Sequence, residues 1–246
     1  MRNRPDAILS LIAVNAIFYV VTYLVPGMEE KMVNLFALYF PGNDKFAWWQ
    51  LVTNMFMHGG FTHILFNMYA LWAFGSPLEI MWGKGRFLLF YFLSGIGAGV
   101  IYTLVNYYQF HNLYNEVIAM GVSAADIDKF LELANLNSSV VPEPFKTNLL
   151  HLYWIPAVGA SGAIYGVLVA FGMLFPNAKL ALIFLPVPIA AKYFIPVLIA
   201  LDLFSGITGF SIFGGGIAHF AHIGGAIIGF LLMWYWRKIV PARRPI

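Results

Sequence analysis

The chain has 246 residues, of which 61% are hydrophobic and only 10% charged, against about 25% charged in an average soluble domain. That composition excludes a water-soluble globule and points to an all-α polytopic membrane protein. The net charge of +3 comes from basic residues at the ends of apolar runs rather than from a patch, which argues against nucleic acid as a partner, and the lack of cysteine removes disulfides, thiol nucleophiles and cysteine-held metals.

Six apolar runs fall near residues 7–26, 55–80, 87–105, 159–175, 189–209 and 215–236, each set against the roughly 20 residues that cross a hydrocarbon core. Arg2 and Arg4 precede the first run as they would a secretory signal. Its apolar stretch is longer than a signal core and no small-residue cleavage site follows, so it is expected to stay as a helix. Glu79, near the end of the second run, reads as a hydrogen-bonding brace. Residues 106–154 form a polar and aromatic insertion between the third and fourth runs of a single domain, 1–246. In it, Ser123 to Asp126 resembles a helix start, and Ile127, Phe130, Leu131 and Ala134 recur at i, i+3, i+4 and i+7, which predicts an amphipathic helix over about 124–135. Four roles are open to it: lying on the membrane surface, covering an active site, recognising part of a substrate, or packing on its own bundle. Pro142 and Pro144 predict an extended return to the fourth run.

With the N-terminus cytoplasmic, the inner side collects Arg2, Arg4, Lys84, Arg86, Lys179, Lys192, Arg237, Lys238, Arg243 and Arg244. Only Lys31, Lys45, Lys129 and Lys146 are left outside, so ten of the 14 basic residues lie inside and both termini are expected in the cytoplasm. The starts of the fourth and sixth runs then share the outer side and the two helices run parallel. Ser161 stands at the first and His222 at the second. Gly162 and Gly166 on one, and Gly225 and Gly229 on the other, have the GxxxG spacing that lets backbones touch. Pro176 ends the fourth helix 15 residues from Ser161, about 22 Å on, so the serine is recessed and water must reach it through a cavity open to the outside. A serine and a histidine at membrane depth have the chemistry of acyl-bond hydrolysis, and the free N–H groups at a helix start, with Gly162 next to Ser161, suit an oxyanion.

These motifs, with the stretch His58 to Asn67, the runs Phe46 to Thr53 and Gly75 to Glu79, and Tyr165, resemble the rhomboid intramembrane serine proteases over about residues 46–105 and 155–236. The resemblance implies a six-helix bundle and a dyad of Ser161 and His222 without an acidic third member. It also implies oxyanion stabilisation by His63 and Asn67, and packing of Tyr165 against the catalytic histidine. Substrates would be transmembrane proteins, with access controlled by the fifth helix and a cap around Ser205–Gly209 and Gly214–Gly216, whose glycines give the backbone freedom. No metal or organic cofactor is implied, and a compact chain without a transit segment is expected in a bacterial plasma membrane.

Other chemistries fit less well. No Glu directly follows any of the six histidines, as an HExxH metalloprotease requires. Asp202 is the one carboxylate in an apolar run beyond the third helix, and an aspartyl protease needs two. Residue 163 is Ala where the soluble G-x-S-x-G elbow has Gly. His219 precedes His222 by three residues and remains open as an alternative base or a metal-binding partner to it. His58 reads as structural and near the interface, His111 and His151 as solvated. A channel or transporter predicts charged relays or broken helices that the chain does not display. A rhomboid-like protein that binds membrane clients without cutting them is the remaining alternative, and it is expected to lack the serine or the histidine.

Overall fold

The computed structural model describes residues 5–136, 138–182, 185–210 and 217–239. Arg2, Arg4, Arg243 and Arg244 of the charge count and Gly214–Gly216 of the expected cap lie outside them. Each apolar run carries helix. The first is α1 (Asp6–Leu24), followed by two short helices, α2 (Glu29–Phe36) and α3 (Gln50–Thr53). The second run is one column made of α4 (Phe61–Ala70), a π-helical turn at Leu71–Gly75, and α5 (Ser76–Trp82). Pro77, within the first turn of α5, has no N–H to give to the preceding turn, and the wider π turn accommodates that loss.

The third run extends well beyond its expected end, as the 36-residue α6 (Lys84–Ala119), about 54 Å long. The insertion therefore begins as a continuation of this helix. The helix expected over 124–135 is α7 (Ala124–Leu133), capped by the Ser123 hydroxyl, which accepts from the Asp126 N–H at 3.2 Å. The expected extended return is instead α8 (Phe145–Trp154), which Pro144 precedes as a helix-compatible first-turn neighbour rather than a breaker. Ile127, Phe130 and Leu131 of α7 are buried in a second, smaller core with Phe40, Phe110 and Leu149, so the insertion packs on its own chain. Trp154 Nε1 donates to the Leu131 carbonyl at 2.8 Å and closes α8 onto α7.

α9 (Ser161–Leu174) is hydrophobic all round and buried along most of its length, as a helix enclosed by others must be. An antiparallel hairpin, β1 (Lys179–Leu182) with β2 (Leu185–Ala190), follows it and is an addition to the all-helical expectation. α10 (Ala191–Thr208) and α11 (His219–Ile239) complete the elements of the described residues. The main core joins α1, α5, α6 and α9 through residues such as Ile8, Leu78, Phe87, Phe90 and Ile164. Outward faces are apolar. The most hydrophobic windows of α1, α6 and α10 have mean hydropathy of 2.1, 1.9 and 1.4 yet are only 28%, 33% and 22% buried, and the three helices are long enough to cross a bilayer. Apolar surface on that scale needs lipid rather than water around it.

At the end of the bundle away from Ser161, Glu79 is buried and binds the start of α1 across 72 positions. Its two carboxylate oxygens accept from the Ala7 N–H at 2.8 Å and the Ile8 N–H at 2.9 Å. A helix N-terminus presents unpaired N–H groups and a positive dipole end, so an acid placed there fixes the α1–α5 register. Glu79→Ala is expected to cost about 1–3 kcal/mol, and Glu79→Gln less because it keeps one acceptor. Denaturant unfolding in detergent measures both; wild-type stability in Glu79→Ala would remove the brace.

Candidate active site

The site begins with the approach of two helices. At Gly225 a Cβ would run into the Gly162 carbonyl of α9, and at Gly229 it would lie 2.5 Å from the Gly166 Cα. α9 and α11 are thus in backbone contact and run parallel, with matching glycine pairs one turn apart. Gly166 also faces Ser94 of α6, whose Oγ would meet its Cβ at 2.5 Å. The contact brings the first turns of α9 and α11 together.

Ser161 opens α9 and His222 lies in the first turn of α11. The Ser161 hydroxyl and His222 Nε2 are 2.7 Å apart, a hydrogen bond between nucleophile-type and base-type groups. The Tyr165 ring, one turn below Ser161, stacks on the His222 ring at 4.2 Å between centroids with an 11° interplanar angle. On the far side of the imidazole, Asp202 of α10 places Oδ1 3.1 Å from His222 Nδ1. This departs from the implied pair without an acidic partner. The same oxygen lies 2.6 Å from His219 Nδ1, and the Tyr165 hydroxyl donates to Oδ2. Asp202 is 1% exposed. His219 therefore sits behind the carboxylate while His222 faces the serine. The ligand atoms of Asp202, His219 and His222 lie within 4.8 Å of one another, and these hydrogen bonds engage them.

His63 and Asn67 lie one turn apart on α4, on the opposite side of Ser161. His63 Nδ1 accepts from the Gly59 N–H at 3.3 Å, which leaves the ring proton on Nε2. That nitrogen faces the chain just before Ser161: a Cβ on Gly159 would lie 2.9 Å from it and 3.5 Å from Ser161 Oγ. Gly159 has φ of 129°, a conformation that favours glycine, and its N–H is fixed by the Asn54 carbonyl at 2.9 Å. The Asn67 amide spends one N–H on the His63 carbonyl at 2.9 Å and keeps a second. The first backbone hydrogen bond of α9 runs from the Ile164 N–H to the Ala160 carbonyl at 3.0 Å, so the Gly162 N–H belongs to the turn that has no intrahelical acceptor. A cavity of about 20 Å³, lined by Asn54, Ser161, Gly162, Ala218 and Ala221 among others, adjoins the serine. That is room for about one water.

Residues 45–127 and 131–239 match the Rhomboid domain. The chain belongs to the rhomboid family. It is 53% identical to the putative rhomboid protease YdcA of Bacillus subtilis (strain 168) over 49 residues, 20% of this chain and 25% of that protein. It is 30% identical to rhomboid protease AarA of Providencia stuartii over 128 residues, 48% of this chain and 44% of the other. Against the presenilin-associated rhomboid-like protein A, mitochondrial, of Danio rerio, identity is 31% over 182 residues, 73% of this chain and 35% of that one. The chain spans less than half the length of these relatives.

In this rhomboid the matched residues contain the whole constellation from His58 to His222, whereas α1 and α2 precede the match. The sequence alone assigns no role in the site to Asp202, weighed there as a lone carboxylate, or to Gly159 and Asn54. Asp202 carried a usable signal, since an ionisable residue in an apolar run is a functional hypothesis with a partner to be named; Gly159 and Asn54 act through backbone geometry that spacing does not reveal. Gly225→Ala should push α11 off α9, lowering stability by at least about 2 kcal/mol, as overpacking does, and parting Ser161 from His222. Unfolding in detergent together with a cross-link between cysteines placed at Ala160 and Ala221 reads both effects; unchanged stability and cross-linking would contradict the contact.

Proposed function

We propose that this rhomboid is an intramembrane serine endopeptidase that cuts transmembrane protein substrates in the outer part of the bilayer. The observation that carries the reading is the 2.7 Å hydrogen bond between Ser161 Oγ and His222 Nε2 at the head of two helices in backbone contact. A serine hydroxyl is a weak nucleophile until a base takes its proton. His222 Nε2 accepts that proton as Oγ attacks the scissile carbonyl, then gives it to the leaving amine, which leaves an acyl-enzyme on Ser161. His63 Nε2, the spare Asn67 N–H and the Gly162 N–H are the candidate donors to the oxyanion. A water activated by His222 then releases the acyl group, and the small cavity beside Ser161 is where such a water fits.

The proposed topology has six spans, α1, the α4–α5 column, α6, α9, α10 and α11, with both termini cytoplasmic in a bacterial plasma membrane. The helix directions support it: Lys84, Arg86, Lys179 and Lys192 lie at one end of the bundle, while Lys31, Lys45, Lys129 and Lys146 belong to segments at the other, beside Ser161. α9 has 14 residues, about 21 Å, against a core of about 30 Å, which recesses Ser161 from the outer surface. A substrate helix has to unwind to present an extended peptide there, so small or helix-breaking residues near the cut favour cleavage.

The test is cleavage of a panel of single-span substrates in proteoliposomes, with products sized by mass spectrometry. Wild type is expected to cut near the outer boundary, Ser161→Ala and His222→Ala not at all, and Asn67→Ala about 10²-fold more slowly, the order of loss for one oxyanion donor. Cleavage that persists in Ser161→Ala would refute the assignment.

A further inference from the structure

We propose that Asp202 is the positioning residue of a Ser161–His222–Asp202 relay, so that α10 supplies a third member to the reactive pair. This rests on the protease reading for its catalytic consequence, though its structural content stands apart from it. Asp202 is buried, and three polar groups converge on it: His222 Nδ1 at 3.1 Å and His219 Nδ1 at 2.6 Å on Oδ1, and the Tyr165 hydroxyl on Oδ2. An ionised carboxylate only accepts, and each oxygen has two lone pairs, so all three neighbours can be served at once if all three donate. His222 must then carry its ring proton on Nδ1. Its Nε2 is left as the acceptor, and the hydroxyl hydrogen of Ser161 points at it along the 2.7 Å bond. The single acceptor at one end fixes the direction of every hydrogen bond along the line.

Three consequences follow for the reaction. The proton of Ser161 has one place to go, Nε2, while the Nδ1 proton stays on its nitrogen, donated to Asp202, which remains unprotonated throughout. The imidazolium formed during attack is faced by a negative charge in a poorly solvated setting, where that charge counts for more than in water. Tyr165 holds His222 twice, by stacking on its ring and by binding the same carboxylate, so it fixes ring plane and partner together. The groups that face His222 are Ser161 and Tyr165 of α9, Asp202 of α10 and His219 of α11. Asp202 is the one anion among them. α10 packs on the core through Ala191 and Ile195 and exposes Val197, Leu203, Phe204 and Ile207, and among the described residues these hydrogen bonds are its polar tie to α9 and α11.

The experiment reads the tautomer directly. Protein with ¹⁵N-labelled histidine side chains is studied by NMR in detergent, with His222 assigned by its disappearance in His222→Gln. The wild type is expected to carry the proton on Nδ1 and leave Nε2 bare, and Asp202→Ala to lose that preference. Asp202→Asn keeps hydrogen-bonding capacity but not the charge. Both variants are expected to react with a fluorophosphonate about 10²-fold or more slowly than wild type, measured on the folded fraction of each. His219→Gln, which leaves the Asp202–His222 contact in place, should keep the Nδ1 proton. If Asp202→Ala does not fold, the wild-type spectrum and Asp202→Asn decide the matter. A wild-type His222 protonated on Nε2, or folded Asp202 variants that react at the wild-type rate, would overturn the proposal. A wild type that does not react at all would instead strike the protease reading, with the tautomer still judging Asp202.

Discussion

The backbone contact between α9 and α11 is the constraint on which the other features depend. In lipid the hydrophobic effect does not press helices together, because hydrocarbon tails are as apolar as the side chains they replace, and close packing has to do the work. Gly162 and Gly166 against Gly225 and Gly229 allow an approach that any side chain would block. Since the two helices run parallel, their first turns coincide, and a serine at one start necessarily meets a histidine near the other. Shape complementarity of four glycines thus sets a 2.7 Å hydrogen bond between residues 61 positions apart.

The two buried acids of the bundle have their charge answered by different partners. Glu79 takes two backbone N–H groups from the start of α1, a purely structural use that closes the bundle at the end away from Ser161. Asp202 takes two imidazoles and a phenol, all of them side chains at the opposite end. An isolated carboxylate in this setting would be costly, and its partners are what permit the charge. The same logic separates His219 from His222. Both lean on one oxygen of Asp202, but the one that also reaches Ser161 is the one whose ring is clamped by Tyr165.

Much of this is legible in the amino-acid sequence. Long apolar runs mark helices because a membrane leaves the backbone few other ways to satisfy itself, and the periodic set Ile127, Phe130 and Leu131 marked α7 with its buried face. The glycine spacing pointed to the α9–α11 seam. What was not legible came from geometry that composition does not encode. α6 runs on past residue 105 because Phe110 and Val117 of its extension are buried in the second core against α7 and α8, and α8 forms after Pro144 because proline suits a helix start as well as a break. The hairpin of Lys179–Leu182 with Leu185–Ala190 depends on pairing between neighbours in a stretch whose sequence carries no periodic signal. Asp202 stood alone in its segment, 20 residues from His222 in sequence, and only the crossing of α10 over the site joined them.

The central claim is that Ser161 is an activated nucleophile, and it is tested most directly by finding where a fluorophosphonate attaches to the folded protein in mild detergent. Peptide mass mapping of the adduct needs no knowledge of a substrate. The account predicts one modified residue, Ser161, with reaction abolished by unfolding the protein first. Modification of another serine, or none on folded protein at any reagent concentration that labels a control serine hydrolase, would contradict it.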